Sequence, residues 1–293
     1  MTTKAKGTSI RQKLINLSVE NGVPFQNLET AFILERLVAR LTADADLQKH
    51  LVFKGGFVGL KVYNSARYTV DVDALVIEAD VESILKSAKR CVETELDDGV
   101  WFQFEDQVDL ATQGEYGGIR QIYRAGIGEV LKNLNKAQVV HFDVGIGDPV
   151  TPGPMSTETS SLIIPDSNLS WQVYPVETIV AEKMHALISH GDINSRSKDV
   201  YDLAFLLPKA DADILAQALK RCFEFRETKL PTSFSTVLKS MDTKSLERGW
   251  LSATGSVAGR PKFYDTFETI IRLIYESESS IRLSDSSRGR HLP

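Results

Sequence analysis

The chain has only two cysteines in 293 residues, Cys91 and Cys222, far apart and outside any C-x-x-C pair. That excludes a disulfide framework and the usual thiolate zinc sites, and both residues read as reduced, buried thiols. No apolar run approaches the ~20 residues needed to span a bilayer. Met1–Thr8 lacks the apolar stretch of a secretion signal, so a cytoplasmic protein with no membrane partner is expected. No internal repeat is evident. Positive charge is also in deficit: 34 Lys and Arg against 39 Asp and Glu leave a net charge of −5. This argues against a general nucleic-acid coat while leaving room for a local basic groove. The hydrophobic fraction of 42% and charged fraction of 25% are ordinary. They fit a soluble globular protein of one large or two ordinary domains.

What the chain does have is concentrated in Leu51–Ile77, LVFKGGFVGLKVYNSARYTVDVDALVI. An apolar run leads to a Lys54-Gly55-Gly56 turn and a short helix-like stretch. A strand over Val70–Ile77 follows, in which Thr69, Asp71 and Asp73 alternate with Val70, Val72 and Ala74. Alternate strand side chains share a face, so two carboxylates lie side by side. Their repulsion must be offset, and a divalent cation is the commonest answer. Glycines upstream allow a backbone to approach a phosphate closely. Together these features suggest a nucleoside triphosphate and Mg²⁺. Asp-x-Asp alone also fits two solvated acids on an exposed strand face.

Before this stretch, Ser9–Ala43 carries two amphipathic helices separated at Gly22-Val23-Pro24. After it, a helix is expected over Val81–Val92 and strands over Trp101–Leu110, Ile119–Ala125 and Ala137–Val144, with a glycine turn at Gly114–Gly118. The last of these strands places Asp143 in an apolar run, where a carboxylate is costly unless paired or coordinated. Asp143 is therefore the candidate third acid of a metal site, while Asp148-Pro149 reads as turn chemistry. The Pro/Ser/Thr-rich Thr151–Ser170 reads as a connection with one short strand, Ser161–Ile164. It ends a first domain of residues 1–170. Residues 171–293 read as a helical domain, with helices over 176–190, 198–207, 211–225, 232–241 and 262–276. A polar, mobile tail is expected over Ser277–Pro293.

In the helical part, Ile179, Val180, Met184 and Leu187 form an apolar face and leave Lys183 and His185 elsewhere. Spacing alone gives Lys183 as a solvated lysine, Ser197 as an N-cap, and Asp199 as a first-turn acid favoured by the helix dipole. A functional alternative has Lys183 reach triphosphate oxygens, with Asp199 orienting it. The densest basic stretch, Lys220-Arg221-Cys222-Phe223-Glu224-Phe225-Arg226 plus Lys229, interleaves aromatics as an RNA-binding surface does. It reads first as an amphipathic helix end whose phenylalanines are core.

The ordered set of motifs resembles the AbiEii/AbiGii-type nucleotidyltransferase toxins of type IV toxin–antitoxin and abortive-infection systems. It comprises Ser9–Leu17, Lys54-Gly55-Gly56, Arg67-x-Thr69-x-Asp71-x-Asp73, Phe142-Asp143-x-Gly145-x-Gly147-Asp148, Tyr174-Pro175-x-Glu177-Thr178-x-x-Ala181-Glu182-Lys183 and Asn194-Ser195-Arg196-x-Lys198-Asp199-x-Tyr201-Asp202-Leu203. The resemblance implies an α/β (α+β), DNA-polymerase-β-like nucleotidyltransferase fold, with a mixed sheet, N-terminal helices and a C-terminal helical bundle. It also implies nucleotide transfer from an NTP, CTP or GTP foremost, to the 3′ acceptor end of tRNA. A cognate antitoxin encoded nearby is implied as well. Thr69, Asp71, Lys183 and Asp199 match the family's essential residues, and Asp73 and Asp143 complete the carboxylate set. Lys54, Gly55, Gly56, Thr69 and Lys198 stand as nucleotide contacts, with Asp71, Asp73 and Asp143 as Mg²⁺ ligands. One departure is Phe57, where many relatives place Thr or Ser after the glycines. Two alternatives stay open: nucleotide transfer to a protein hydroxyl, and a GTP- or NTP-binding toxin without turnover.

Overall fold

The computed structural model describes residues 2–110, 117–190 and 196–288, with 279–288 as backbone alone. The described chain divides into two units. One comprises residues up to Gly147 plus Met155–Val173, and the other Asp148–Pro154 plus the chain from Tyr174 onward.

The first unit begins with α1 (Thr3–Asn21), whose N-cap hydroxyl Thr2 accepts from the Ala5 amide. It stops at Gly22, in the left-handed region at φ 64, and Pro24 then caps α2 (Phe25–Thr42). Nearly every side chain from Leu28 to Leu41 is buried, which makes α2 the central helix of this unit. The polar residues among them are fully engaged. Arg36 donates to Asp98 at 2.9 Å and Arg40 donates to it at 2.7 and 3.0 Å. Glu35, with no exposure, accepts from Lys61 and from the Leu162 amide, both at 2.7 Å.

Then follow α3 (Ala45–His50), β1 (Leu51–Lys54), α4 (Gly55–Lys61), β2 (Asp71–Val76), α5 (Val81–Val92), β3 (Val100–Leu110), β4 (Gly118–Ile127), β5 (Gln138–Ile146), β6 (Met155–Ser160) and β7 (Asn168–Val173). The seven strands form one mixed sheet in the order β3-β4-β5-β2-β1-β7-β6. The pairs β2–β5 and β1–β7 are parallel and the rest antiparallel. Val72, Ala74, Phe142 and Val144 are buried on one face. Gln121 of β4, in register with Phe142, donates from that same face to the Leu85 carbonyl of α5. The opposite face carries the acids.

The second unit contains α6 (Val176–Ser189), α7 (Ser197–Leu206), α8 (Ala212–Phe225), α9 (Phe234–Ser240), α10 (Lys244–Ala253) and α11 (Phe263–Arg288). Their apolar faces meet in a core that includes Ile179, Met184, Leu203, Phe223, Trp250 and Ile270.

The mixed sheet with helices before and after it agrees with the sequence-derived architecture. Some details differ. The expected strand at Ser161–Ile164 is a turn: the Ser161 amide donates to the Ser167 carbonyl and closes the β6–β7 hairpin, whose strands lie on either side of it. The supposed connection is therefore two strands of the sheet. Helix α10 was not anticipated, and backbone helix continues to Arg288 where a mobile tail was expected. Residues 114–116 of the expected glycine turn, Asn194 and Ser195 of the resemblance motif, and residues 289–293 of the tail lie outside the described residues.

Candidate active site

Register assembles the acidic face. Lys54 on β1 is opposite Asp73 on β2, Asp73 is beside Asp143 on β5, and Asp143 is opposite Arg120 on β4. Cross-strand partners share a face. The result is a row across four strands that alternates as cation, acid, acid, cation. One step along, Asp71 is beside His141.

The acids are held individually. Thr69 Oγ1 donates to Asp71 Oδ1 in a short hydrogen bond. The Arg120 guanidinium forks onto Asp143, with Nε to Oδ1 at 2.7 Å and Nη2 to Oδ2 at 2.6 Å. Hydrogen bonding to Asp143 raises the Arg120 pKa above the ordinary guanidinium value, and the charges of Asp71 and Asp73 add to this. Burial, followed by the nearby Arg120 charge, holds His141 below its usual pKa, against the pull of Asp143 and Asp71.

The glycine bend is fitted to this face. Gly55 has φ 73, and a Cβ built on it would come within 2.1 Å of Asp73 Oδ2. A Cβ on Gly56 would meet Thr69 Oγ1 at 3.0 Å and the Arg67 guanidinium at 3.2 Å. Both glycines are therefore places where backbone passes against functional side chains. Phe57 is fully buried and meets Trp171 edge-on with ring centroids 5.9 Å apart. Its position after the glycines serves the core.

In the second unit, Lys183 of α6 lies 2.7 Å from Asp199 and 2.7 Å from Asp202, both on α7. All three are largely buried, so Lys183 is a fixed, paired cation rather than the solvated lysine that spacing alone gave. Lys198 is exposed on the first turn of α7. His185 is a core histidine. Burial, followed by the Arg226 charge, pushes its pKa down to about 4, and its ring packs edge-on against Phe223. Arg226 donates to Asp148 at 3.0 Å, so Asp148 anchors α8's end rather than merely shaping a turn. Of the basic stretch, Lys220, Arg221 and Lys229 are exposed, whereas Cys222 and Phe223 are core.

Sequence reasoning passed over Arg120 and gave Asp202 no role. For Asp202 a signal was available: Asp199 and Asp202 are three apart on a helix and share a face. Arg120 owes its place to strand register alone.

The oxygen donors of Asp71, Asp73 and Asp143 have the chemistry that a hard divalent cation takes. Like charges about 5 Å apart repel by roughly 3 kcal/mol at an effective dielectric of 20, which gives such a cation a favourable place. Among the described residues no three His, Cys, Asp or Glu side chains converge as a ready metal cage, and Asp143 is engaged by Arg120. Asp71 and Asp73 have the chemistry to hold such an ion, and Asp143 can join them where Arg120 releases it.

A family model described as "Nucleotidyl transferase AbiEii toxin, Type IV TA system" matches residues 36–271. No curated protein matches the chain. In fold, the chain is similar to the crystal structure of JHP933 from Helicobacter pylori, with TM-score 0.54 and 16% identity over 91% of this chain and 98% of that one. It is also similar to a candidate nucleotidyltransferase from H. pylori, with TM-score 0.52 and 16% identity over 89% and 98% of the two chains.

Proposed function

The chain belongs to the AbiEii family of nucleotidyl transferase toxins of type IV toxin–antitoxin systems, and from that premise we propose that it transfers a nucleotide from an NTP to the 3′ end of tRNA with Mg²⁺. The observation that carries this reading is the single face of β1, β2, β4 and β5 on which Asp71, Asp73 and Asp143 stand beside the Gly55 bend.

Asp71 and Asp73 would hold the cation, and Asp143 would join them. Bound there, a divalent ion supplies charge neutralisation on triphosphate oxygens and acidifies an attacking hydroxyl. The chain's own groups do the positioning. Thr69 fixes the rotamer of Asp71 through its donated hydrogen bond. The bare Gly55 leaves room for Asp73. Lys54, in register with Asp73, offsets negative charge at the edge of the row. Lys183, clamped by Asp199 and Asp202, presents an ammonium of fixed position, suited as a point charge to triphosphate oxygens. The exposed Lys220, Arg221 and Lys229 suit an RNA backbone.

The test is incubation of the pure protein with total tRNA, Mg²⁺ and each labelled NTP in turn. Label on tRNA with wild type and none with a folded Asp71→Ala protein is the expected result. Label in protein bands instead would replace the acceptor, and NTP binding without pyrophosphate release would replace the activity. CTP and GTP are the first nucleotides to try, and a cognate antitoxin is expected to suppress whatever transfer occurs.

A further inference from the structure

Two of the Arg–Asp assemblies in the first unit have opposite character. Around Asp98, the side chains of Arg36 and Arg40 are only 7% and 1% exposed and that of Asp98 5%. Arg40 also donates to the carbonyls of Thr94, Arg36 and Val100. Releasing any member would strand a buried charge, so this cluster is permanent. Arg120 differs. Its side chain is 27% exposed, that of Asp143 is 14% exposed, and among the described residues its side-chain hydrogen bonds go to Asp143. Let go of Asp143, the guanidinium can turn to solvent and leave no buried, unsatisfied donor. Both carboxylate oxygens of Asp143 are meanwhile turned to Arg120 rather than to Asp73 beside it.

Resting on the reading of this face as the cation site, we propose that Arg120 is a tethered counter-ion. It holds Asp143 in the cation-free protein and yields that carboxylate when a divalent cation binds, so that cation affinity is set by competition with the protein's own guanidinium. Arg120 is thus a positioning residue. It neutralises a face of three acids until cation and nucleotide arrive, and it makes complete cation coordination conditional. A protein whose competent state is populated one time in ten binds about tenfold more weakly than its intrinsic affinity. Removing the competitor recovers that factor.

The experiment is Mn²⁺ binding, followed by electron paramagnetic resonance of free Mn²⁺, on the full chain without nucleotide. Wild type, Arg120→Gln, Asp143→Asn and Asp71→Asn are compared. Arg120→Gln is expected to bind Mn²⁺ about tenfold more tightly than wild type, and to lose that gain when combined with Asp143→Asn. Its melting temperature without metal should fall, and added Mn²⁺ should raise it by more than it raises that of wild type, a rescue that simple loss of packing would not give. Equal Mn²⁺ affinity in wild type and Arg120→Gln, with binding abolished by Asp71→Asn, overturns the counter-ion role and leaves the cation site standing. Undiminished binding in Asp71→Asn overturns the cation site itself. Should Arg120→Gln not fold, Arg120→Lys keeps the charge without the fork. Tighter Mn²⁺ binding there supports the proposal, and wild-type affinity refutes it.

Discussion

A methyl group on Gly55 would lie 2.1 Å from Oδ2 of Asp73, so the two residues coexist only because position 55 carries no side chain. The bend and the acid are one device: the chain can turn from β1 into α4 and still leave Asp73 upright on β2 only with a bare backbone there. Gly55→Ala should therefore act on Asp73 as well as on the backbone. At φ 73 an L-residue is also strained, by about 1 kcal/mol or more. Expected are a drop of roughly 3 kcal/mol or less in stability by urea unfolding and loss of labelled nucleotide transfer. Gly22→Ala is the control. Gly22 has φ 64 but nothing within 4 Å of an added Cβ, so it should show the backbone cost and keep activity.

Thr69 donates to Asp71 and orients it. Thr69→Val preserves shape and removes the donor. It should lower activity about 10- to 100-fold, as loss of a ligand-orienting hydrogen bond does. Stability should shift by only about 1 kcal/mol. Thr69→Ser should retain most activity, since it keeps the hydroxyl. Equal turnover by wild type and Thr69→Val would remove Thr69 from the site.

Lys183 sits between two largely buried carboxylates. Lys183→Met should abolish transfer and cost about 3–5 kcal/mol, because Asp199 and Asp202 are left facing each other without their shared cation. Adding Asp202→Asn to Lys183→Met should restore part of that stability without restoring activity. The double-mutant cycle should therefore show a coupling of at least about 1 kcal/mol. Additive losses would mean that Lys183 is not the link between the two acids.

His185 makes the second unit acid-sensitive. Its folded pKa is lowered to about 4, while the unfolded chain binds the proton at about 6.5. Between those values the unfolded state carries more protons, so stability is greatest above about pH 6.5. It declines as pH falls toward 4 and then levels off with respect to this group. The contribution is at most about 3 kcal/mol, from 1.36 kcal/mol per pK unit. In His185→Gln the loss of urea midpoint between pH 7 and pH 5 should be smaller than in wild type. An identical pH slope would assign the acid sensitivity elsewhere.

The local elements of the site could be read from the sequence, and its long-range assembly could not. Val81–Val92 is a helix from end to end, and Asp71 and Asp73 alternate on a strand as their spacing requires. Asp143 was noticeable as a carboxylate in an apolar run, and its place beside Asp73 follows from a parallel pairing across some seventy residues. Arg120 could not be found this way. A one-residue slip in β4 would turn it to the other face, and register is not encoded in any short window. The β6–β7 hairpin was missed because β6 is a polar edge strand, MSTETS, without a buried side to impose alternation. Helix α10 has no counterpart in the sequence reading, although Leu246, Trp250 and Ala253 mark its buried side. Gly249 is there because a Cβ would meet Ser197 Oγ at 2.3 Å. Lys183 shows the limit of composition rules: a helical lysine is usually solvated, and here two acids of α7, Asp199 and Asp202, two and five positions after Ser197, keep it fixed.

The parallel pairing of β1 with β7 has a bearing on synthesis. Val52 and Phe53 are made early, but the strand that covers their outer margin ends at Val173. A ribosome that has released only the first hundred and sixty residues carries a sheet with one interior margin still open, and loop closure over that distance precedes any completed catalytic face. Prematurely terminated chains that stop short of Asn168 should therefore be inert and prone to association through that margin, and the enzyme can act only once the β7 strand has been made.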